Sequence, residues 1–537
     1  MALAQAKMSV KSAAIVLASS TLISALLGLF RDRLLNSYYL GTYPTGIDAY
    51  TAAFTVPDFM FFILTSGALS VSFIPVFNER LVKGNKKSAW ELSSSLLNLM
   101  AILTLIASVL IIIFADPLIR YVVSPGLDES GMVLAISMTR VIAINPFLFS
   151  IATVLTSIQQ AVGRFIFYSL APVIYNIGII IGITCFTDGI SLFGVEIFGG
   201  GIMGVAVGVI LGAVMQLIVS LIGLFGLGMD YDFKIKWKNQ GFRSILHLLP
   251  ARSLDQGMDY VNGIVNTNLS SRMGAGAVRS FNQASTLHQM PVNLIGVAIS
   301  TAFFPRLTEE LGAGDKKEFY ETFRRALRMI IWIALPVSVI AFFGRGYVTS
   351  FISNIGNNDS NGTIASVLGM LCIAIFARSV FHIASRGFYA FQDTKTPFYV
   401  SILAIGLTIG LSVWFYSLSW GVDGLGAAQS IGAVIEITIL LWILQRRANG
   451  ELLNKSFWKA AGRMLFAGII TGCVAFSMTK FIPLMVTDTS LVITIPKFLL
   501  IAGISFGTYL IASYFLDLKE AKPVFNYFKK ILFRNAK

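Results

Sequence analysis

The residues best able to do chemistry are ionisable groups set inside long apolar runs. Arg31, Asp32 and Arg33 follow the unbroken run Leu26-Leu-Gly-Leu-Phe30, and Asp48 opens the apolar stretch that reaches Pro57. Arg252, Asp255 and Asp259 lie three, four and seven residues apart, a spacing that puts one cation and two acids on one face of a helix. A charge inside a bilayer is costly, so each such group is a functional candidate by default. The planar guanidinium of Arg31 suits the oxygens of a phosphate. The Arg252/Asp255/Asp259 face suits a polar cavity that binds a substrate or a coupling cation. Structural roles stand beside these. Arg31 and Arg33 can snorkel to an interface, Asp48 can cap a helix or pair with Arg31, and the trio can form an internal ion-pair network. Arg272 and Arg279 flank a turn and read first as solvated, while Arg140 and Arg378 fall within apolar spans.

The elements that must hold these groups are transmembrane helices. Of 537 residues, 55% are hydrophobic and 13% charged, with a mean hydropathy of +0.76. That leaves too little polar surface to clothe a soluble core. Runs of about 20 apolar residues predict an all-α integral membrane protein of about fourteen spans. They fall near 12–36, 48–78, 92–114, 131–159, 167–186, 199–227, 243–270, 277–307, 322–344, 363–390, 397–418, 424–445, 460–480 and 493–516. The stretch from Ser12 to Phe30 is read as the first span rather than as a cleaved leader, because further spans follow at once. The net charge of +14 comes largely from basic residues in alternate loops. This predicts cytoplasmic termini and an even number of spans, and points to anionic headgroups rather than nucleic acid as the partner of the excess charge. Cys185, Cys372 and Cys473, with His247, His288 and His382, are dispersed and read as packing residues. They define no metal site.

An internal repeat organises the spans. Ala68-Leu-Ser-Val-Ser-Phe-Ile-Pro-Val-Phe-Asn-Glu-Arg-Leu81 aligns with Ala298-Ile-Ser-Thr-Ala-Phe-Phe-Pro-Arg-Leu-Thr-Glu-Glu-Leu311 at a constant offset, with Pro75/Pro305 and Glu79/Glu309 the least accidental matches. An even number of spans separates the copies, so the two halves share orientation and are related by a pseudo-two-fold along the membrane normal. The expected divisions are an N-lobe at 1–228, a C-lobe at 229–450, two further helices at 451–518 and a basic amphipathic tail at 519–537 lying on the cytoplasmic surface.

No enzyme signature occurs: there is no HExxH and no phosphate-cradling glycine loop beside a strand. Gly28-Leu-Phe-Arg-Asp32, Asp48-Ala-Tyr50 with Pro57, Gly67-Ala68 through Pro75, Arg164-Phe165 with Ala171-Pro172 and Asn176, and above all Gly387-Phe-Tyr-Ala-Phe-Gln-Asp-Thr-Lys-Thr-Pro397 resemble the bacterial lipid II flippase family, MurJ or MviN. The resemblance runs in order from residue 12 to about 446. It implies the wider superfamily of multidrug and lipid-linked-oligosaccharide exporters, with two six-helix lobes and two extra helices forming a groove for a lipid tail. It implies a bacterial inner-membrane transporter rather than an enzyme, which moves undecaprenyl-pyrophosphate-linked peptidoglycan precursor from the inner to the outer leaflet by alternating access, for cell-wall synthesis and cell shape. It also brings in the cell-wall synthesis machinery as a possible partner.

Five positions depart from the family pattern. Ala25 and Thr286 stand where the family has arginine, Phe61-Phe62 where it has a basic pair, and Ser66 where it has an acid. Arg31, Asp32 and Asp48 remain the expected pyrophosphate-site residues. Arg252 and Arg279, the latter seven residues before Thr286 on the same helix, are expected to supply the missing cations. No cofactor is expected beyond a coupling cation, Na+ or H+, with Asp255 and Asp259 its candidate ligands. An exporter of another polyprenyl-linked glycan, a drug/cation antiporter and a membrane-embedded glycosyltransferase remain open as alternatives.

Overall fold

The computed structural model describes residues 10–43, 45–66, 73–192, 195–353, 358–485 and 487–526; within these, the side chains at 10–15, 18, 190–192, 195–198, 247–256, 258, 259 and 358–361 are left aside. Helices account for nearly all of it. They are α1 (Val10–Tyr39), α2 (Gly46–Phe61), α3 (Ile74–Val82), α4 (Lys86–Pro117), α5 (Glu129–Ile142), α6 (Asn145–Ala161), α7 (Phe165–Cys185), α8 (Met203–Ile222), α9 (Gln240–Ser271) and α10 (Ala277–Val292). There follow α11 (Ala298–Gly312), α12 (Lys316–Phe343), the short α13 (Arg345–Thr349), α14 (Asn358–Ala390), α15 (Lys395–Ser417), α16 (Gly421–Arg447), α17 (Lys455–Phe481) and α18 (Leu491–Phe515). One departure from the all-α expectation is a small antiparallel hairpin between α7 and α8, formed by β1 (Ile190–Leu192) and β2 (Val195–Phe198).

Among the described residues, twelve helical stretches are long and apolar enough to cross a membrane. They include α5 with α6 as one span, Glu129–Ala161, and α10 with α11 as another, Ala277–Gly312. The helices α1 and α9 occupy the remaining two expected positions and carry the charged residues discussed above. The protein is thus a multi-pass membrane protein. The repeat has a structural counterpart: a π-helical turn interrupts the second helix of each copy, at Phe62–Ser66 and at Asn293–Val297. Pro57 and Pro291 precede these turns; each removes a backbone donor from the ladder, which favours such a local rewinding. Residues 67–72, which include the first five of the Ala68–Leu81 copy, lie outside the described residues, as do tail residues 527–537.

By packing, the chain divides into two compact units, Met1–Arg279 and Ser280–Lys537. That divide falls later than the 228/229 boundary drawn from the repeat, because α9 and the first turn of α10 group with the first unit. In unit 1, α7 and α8 meet through glycines: a Cβ on Gly178 would come within 2.2 Å of Gly212, and one on Gly182 within 2.5 Å of Gly208. The small-xxx-small spacing lets two backbones touch where lipid supplies no hydrophobic drive. In unit 2, Gly426 on α16 packs on Val367 and Met370 of α14 in the same way. There α17 and α18 join α12 in a core of Trp332, Met464, Ala467 and Tyr509, and the start of the tail docks on it through Leu518 and Ala521. Arg328 on α12 pins Glu520 by two bonds of 2.6 and 3.0 Å.

Candidate functional site

Arg31 lies on α1 against α7. Its Nε and Nη2 donate to Oδ1 of Asp32 at 3.0 and 2.8 Å, and its Nη1 donates to Oδ1 of Asn176 at 3.2 Å. Asn176 is itself fixed, with its amide donating to Ser24 Oγ at 3.2 Å and to the carbonyl of Pro172 at 3.1 Å. A guanidinium has five N–H donors, so these bonds aim the fork without exhausting it, and the Arg31 side chain keeps 24% exposure. Tyr50 on α2 and Tyr175 on α7 lie within electrostatic reach of it. Tyr175 belongs to an aromatic row in which Phe149 packs edge-on against it and against Phe61, while Tyr50 packs edge-on against Phe54.

Phe62 stacks on Tyr260 of α9 with ring centroids 4.3 Å apart. Phe61 and Phe62 are therefore engaged in ring packing rather than in a polar contact. Sequence reasoning missed Asp58, one residue after Pro57. It sits within electrostatic reach of Tyr50 and Tyr175 and has no hydrogen bond or ion pair to a described residue. An acid beside a mid-span proline is the signal that would have found it.

Asp48 neither pairs with Arg31 nor caps its own helix. It is 1% exposed and accepts from the backbone N–H of Gly276 and of Arg279, the latter at 2.7 Å. It therefore caps the N-terminus of α10, whose first-turn amides have no intrahelical acceptor. The Arg279 guanidinium beside it has Nε and Nη1 unpartnered although the residue is 2% exposed. Arg279 is thus buried, not solvated, while Thr286 further along α10 is exposed. Two further contacts close the same end of unit 1: Asn268 donates to the Val122 carbonyl at 2.7 Å, and the Gly126 amide donates to Ser271 Oγ at 3.2 Å. A Cβ on Gly126 would strike the Ser271–Arg272 backbone at 2.4 Å, so the approach requires glycine.

Arg252, Asp255 and Asp259 lie on the continuous helix α9, and their side chains are outside the described ones. Arg140 is exposed. In unit 2, Arg378 on α14 donates to Glu436 of α16 at 3.1 Å, and Ser401 of α15 donates to the other Glu436 oxygen at 2.7 Å. The Gly387–Pro397 signature is a helix junction. Asp393 accepts from the Thr396 amide at 3.0 Å, from its hydroxyl at 2.6 Å and from Arg447 at 2.6 Å. These bonds outweigh the cost of its partial burial and hold its carboxyl at about 2. Among the described residues no group of histidine, cysteine and acids could hold a metal ion.

The model of the family described as lipid II flippase MurJ matches residues 36–493. A probable lipid II flippase MurJ of Buchnera aphidicola subsp. Acyrthosiphon pisum is 27% identical, covering 82% of each chain. The lipid II flippase MurJ of Burkholderia cenocepacia is 26% identical over 80% of this chain and 82% of its own. Among solved structures, a lipid II flippase MurJ in an inward closed conformation superposes with a TM-score of 0.73 at 21% identity, covering 97% of this chain and 99% of the other. An inward-facing multidrug resistance MATE family transporter of the MOP superfamily gives 0.67 at 19% identity, covering 82% and 99%. At those identities the solved structures speak for the fold, whereas the family match spans most of the sequence. The chain belongs to the lipid II flippase family.

Proposed function

We propose that this chain carries lipid II, the polyprenyl-pyrophosphate-linked peptidoglycan precursor, from the inner to the outer leaflet of the bacterial plasma membrane by alternating access. The observation that carries the reading is Arg31: a guanidinium inside a membrane helix, aimed by Asp32 and Asn176, with N–H donors left over and part of its surface open. A pyrophosphate is the ligand such a fork fits. The aromatic row of Phe61, Phe149 and Tyr175 offers ring faces to the sugar head, and the tail stays in lipid along α17 and α18.

With both termini cytoplasmic, the end closed by Asp48, Asn268 and Ser271 faces outward, and its bonds must break for the head group to leave. Arg252 and Arg279 add positive charge to the path. The membrane potential or a Na+ or H+ gradient supplies the energy, with Asp255 and Asp259 as ion ligands. Expression in a bacterium depleted of its own flippase tests the reading. Rescue of growth, with precursor reaching the outer leaflet, supports it. Failure to rescue by a membrane-inserted chain, with rescue of a strain lacking another polyprenyl-glycan exporter, would reassign the substrate.

A further inference from the structure

At the end of unit 1 opposite the Asp48 contact, the α3–α4 turn and the stretch joining α8 to α9 enclose an open cleft of about 800 Å³. Its second wall is fastened in place. Asn98 of α4 donates to the Asp232 carbonyl at 2.8 Å, the Asp232 and Lys236 amides donate to Ser94 and Ser95 at 3.2 and 2.9 Å, and Asn239 donates to the Ser88 carbonyl at 3.3 Å. Five cations line the cleft, Arg80, Lys83, Lys87, Lys236 and Lys238, against the acids Glu79 and Glu91.

Their commitments differ. Lys83 is spent on Glu79 at 2.6 Å and Lys236 on Asp232 at 2.8 Å. Arg80 turns inward to the Val76 carbonyl and Ser88 Oγ, filling the space over Gly241 where a Cβ would come within 2.2 Å of it. Lys87 and Lys238 have no partner among the described residues. Next in the chain to the lining residues Lys83, Lys236 and Lys238, Val82 is 88% exposed and Trp237 is also exposed, and Phe233, three residues before Lys236, is 85% exposed. A site for a water-soluble anion has no use for bare apolar side chains on the same two stretches of chain. At the end of a membrane bundle they sit at headgroup depth, where aromatic residues anchor and lysines collect anionic lipid.

We propose that this cleft binds the headgroup of an anionic phospholipid, its phosphate held by Lys87 and Lys238 and its glycerol and upper acyl chains against Val82, Phe233 and Trp237. The site is separate from the Arg31 cluster. It ties the α3–α4 turn to the segment leading into α9, so a bound lipid braces the start of that helix.

The test is native mass spectrometry of the full chain in detergent, titrated with phosphatidylglycerol, with phosphatidylcholine and with inorganic phosphate. Phosphatidylglycerol should be retained and phosphatidylcholine not. K87Q/K238Q should weaken phosphatidylglycerol binding roughly thirtyfold, about fivefold per lysine, with an unchanged melting temperature. K87R/K238R and R31A should retain it, and F233S should weaken it severalfold. Equal retention by the wild type and K87Q/K238Q would overturn the proposal. So would loss in K87R/K238R, or displacement of phosphatidylglycerol by inorganic phosphate, which would make the cleft a site for a soluble anion.

Discussion

Two buried charge clusters, one in each unit, use the same residue types differently. In unit 2, Glu436 gives one oxygen to Arg378 and the other to Ser401, so acid and cation neutralise each other across three helices. In unit 1, Asp48 gives both oxygens to backbone amides and leaves Arg279 buried with donors unspent, while Arg31 is aimed by Asp32 and Asn176 with donors in reserve. The first arrangement is complete without a ligand. The second pairs its cations with acids yet leaves N–H donors unbonded, at an expense a membrane protein bears only where the donors are used. Arginine therefore serves architecture in one place and recognition in the other, and the distinction lies in what remains unbonded.

The largest effect that can break this contrast comes from the arginines. R279A should lower lipid II translocation roughly 10- to 100-fold, the loss of a charged hydrogen bond, without lowering the melting temperature, because the Nε and Nη1 donors it removes make no bond within the fold. A normal rate in R252A/R279A would refute their role. E436Q should do the reverse. Stranding Arg378 costs up to about 3 kcal/mol, at the low end for a buried pair because Arg378 is partly open, whereas R378M/E436L should stay close to wild type in melting; a destabilised double variant would mean the pair is more than a neutralised charge.

D48A should cost about 1 kcal/mol as a lost helix cap and speed hydrogen exchange at Gly276 and Arg279, with D48N intermediate. Unchanged exchange would remove Asp48 from the closure. The smallest effect concerns Asp393. Its carboxyl is depressed to about 2 in the folded protein, so its contribution is present at neutral pH and is lost as pH falls from about 4 towards 2. The stability gap between wild type and D393N should close over that window; a gap constant with pH would assign it to packing alone.

Much of this was legible before any coordinates. Apolar runs located the helices, because the bilayer demands them. The partner of Asp48 was not legible: it is a pair of backbone amides 228 and 231 residues away, and no side-chain pattern marks an amide. Glu436 lay hidden in α16 because its role depends on Arg378 and Ser401 from two other helices. Asn176 was visible as part of a motif, and its task of orienting Arg31 became clear only when α7 was set against α1. The π-helical turns are backbone features, which composition records only through nearby prolines.

The most direct test reconstitutes the purified chain in liposomes and follows labelled lipid II from one leaflet to the other, comparing wild type with R31A and R31K. The account predicts no movement by R31A and a strongly reduced rate for R31K, whose point charge lacks the planar fork. Translocation by R31A at the wild-type rate would contradict it.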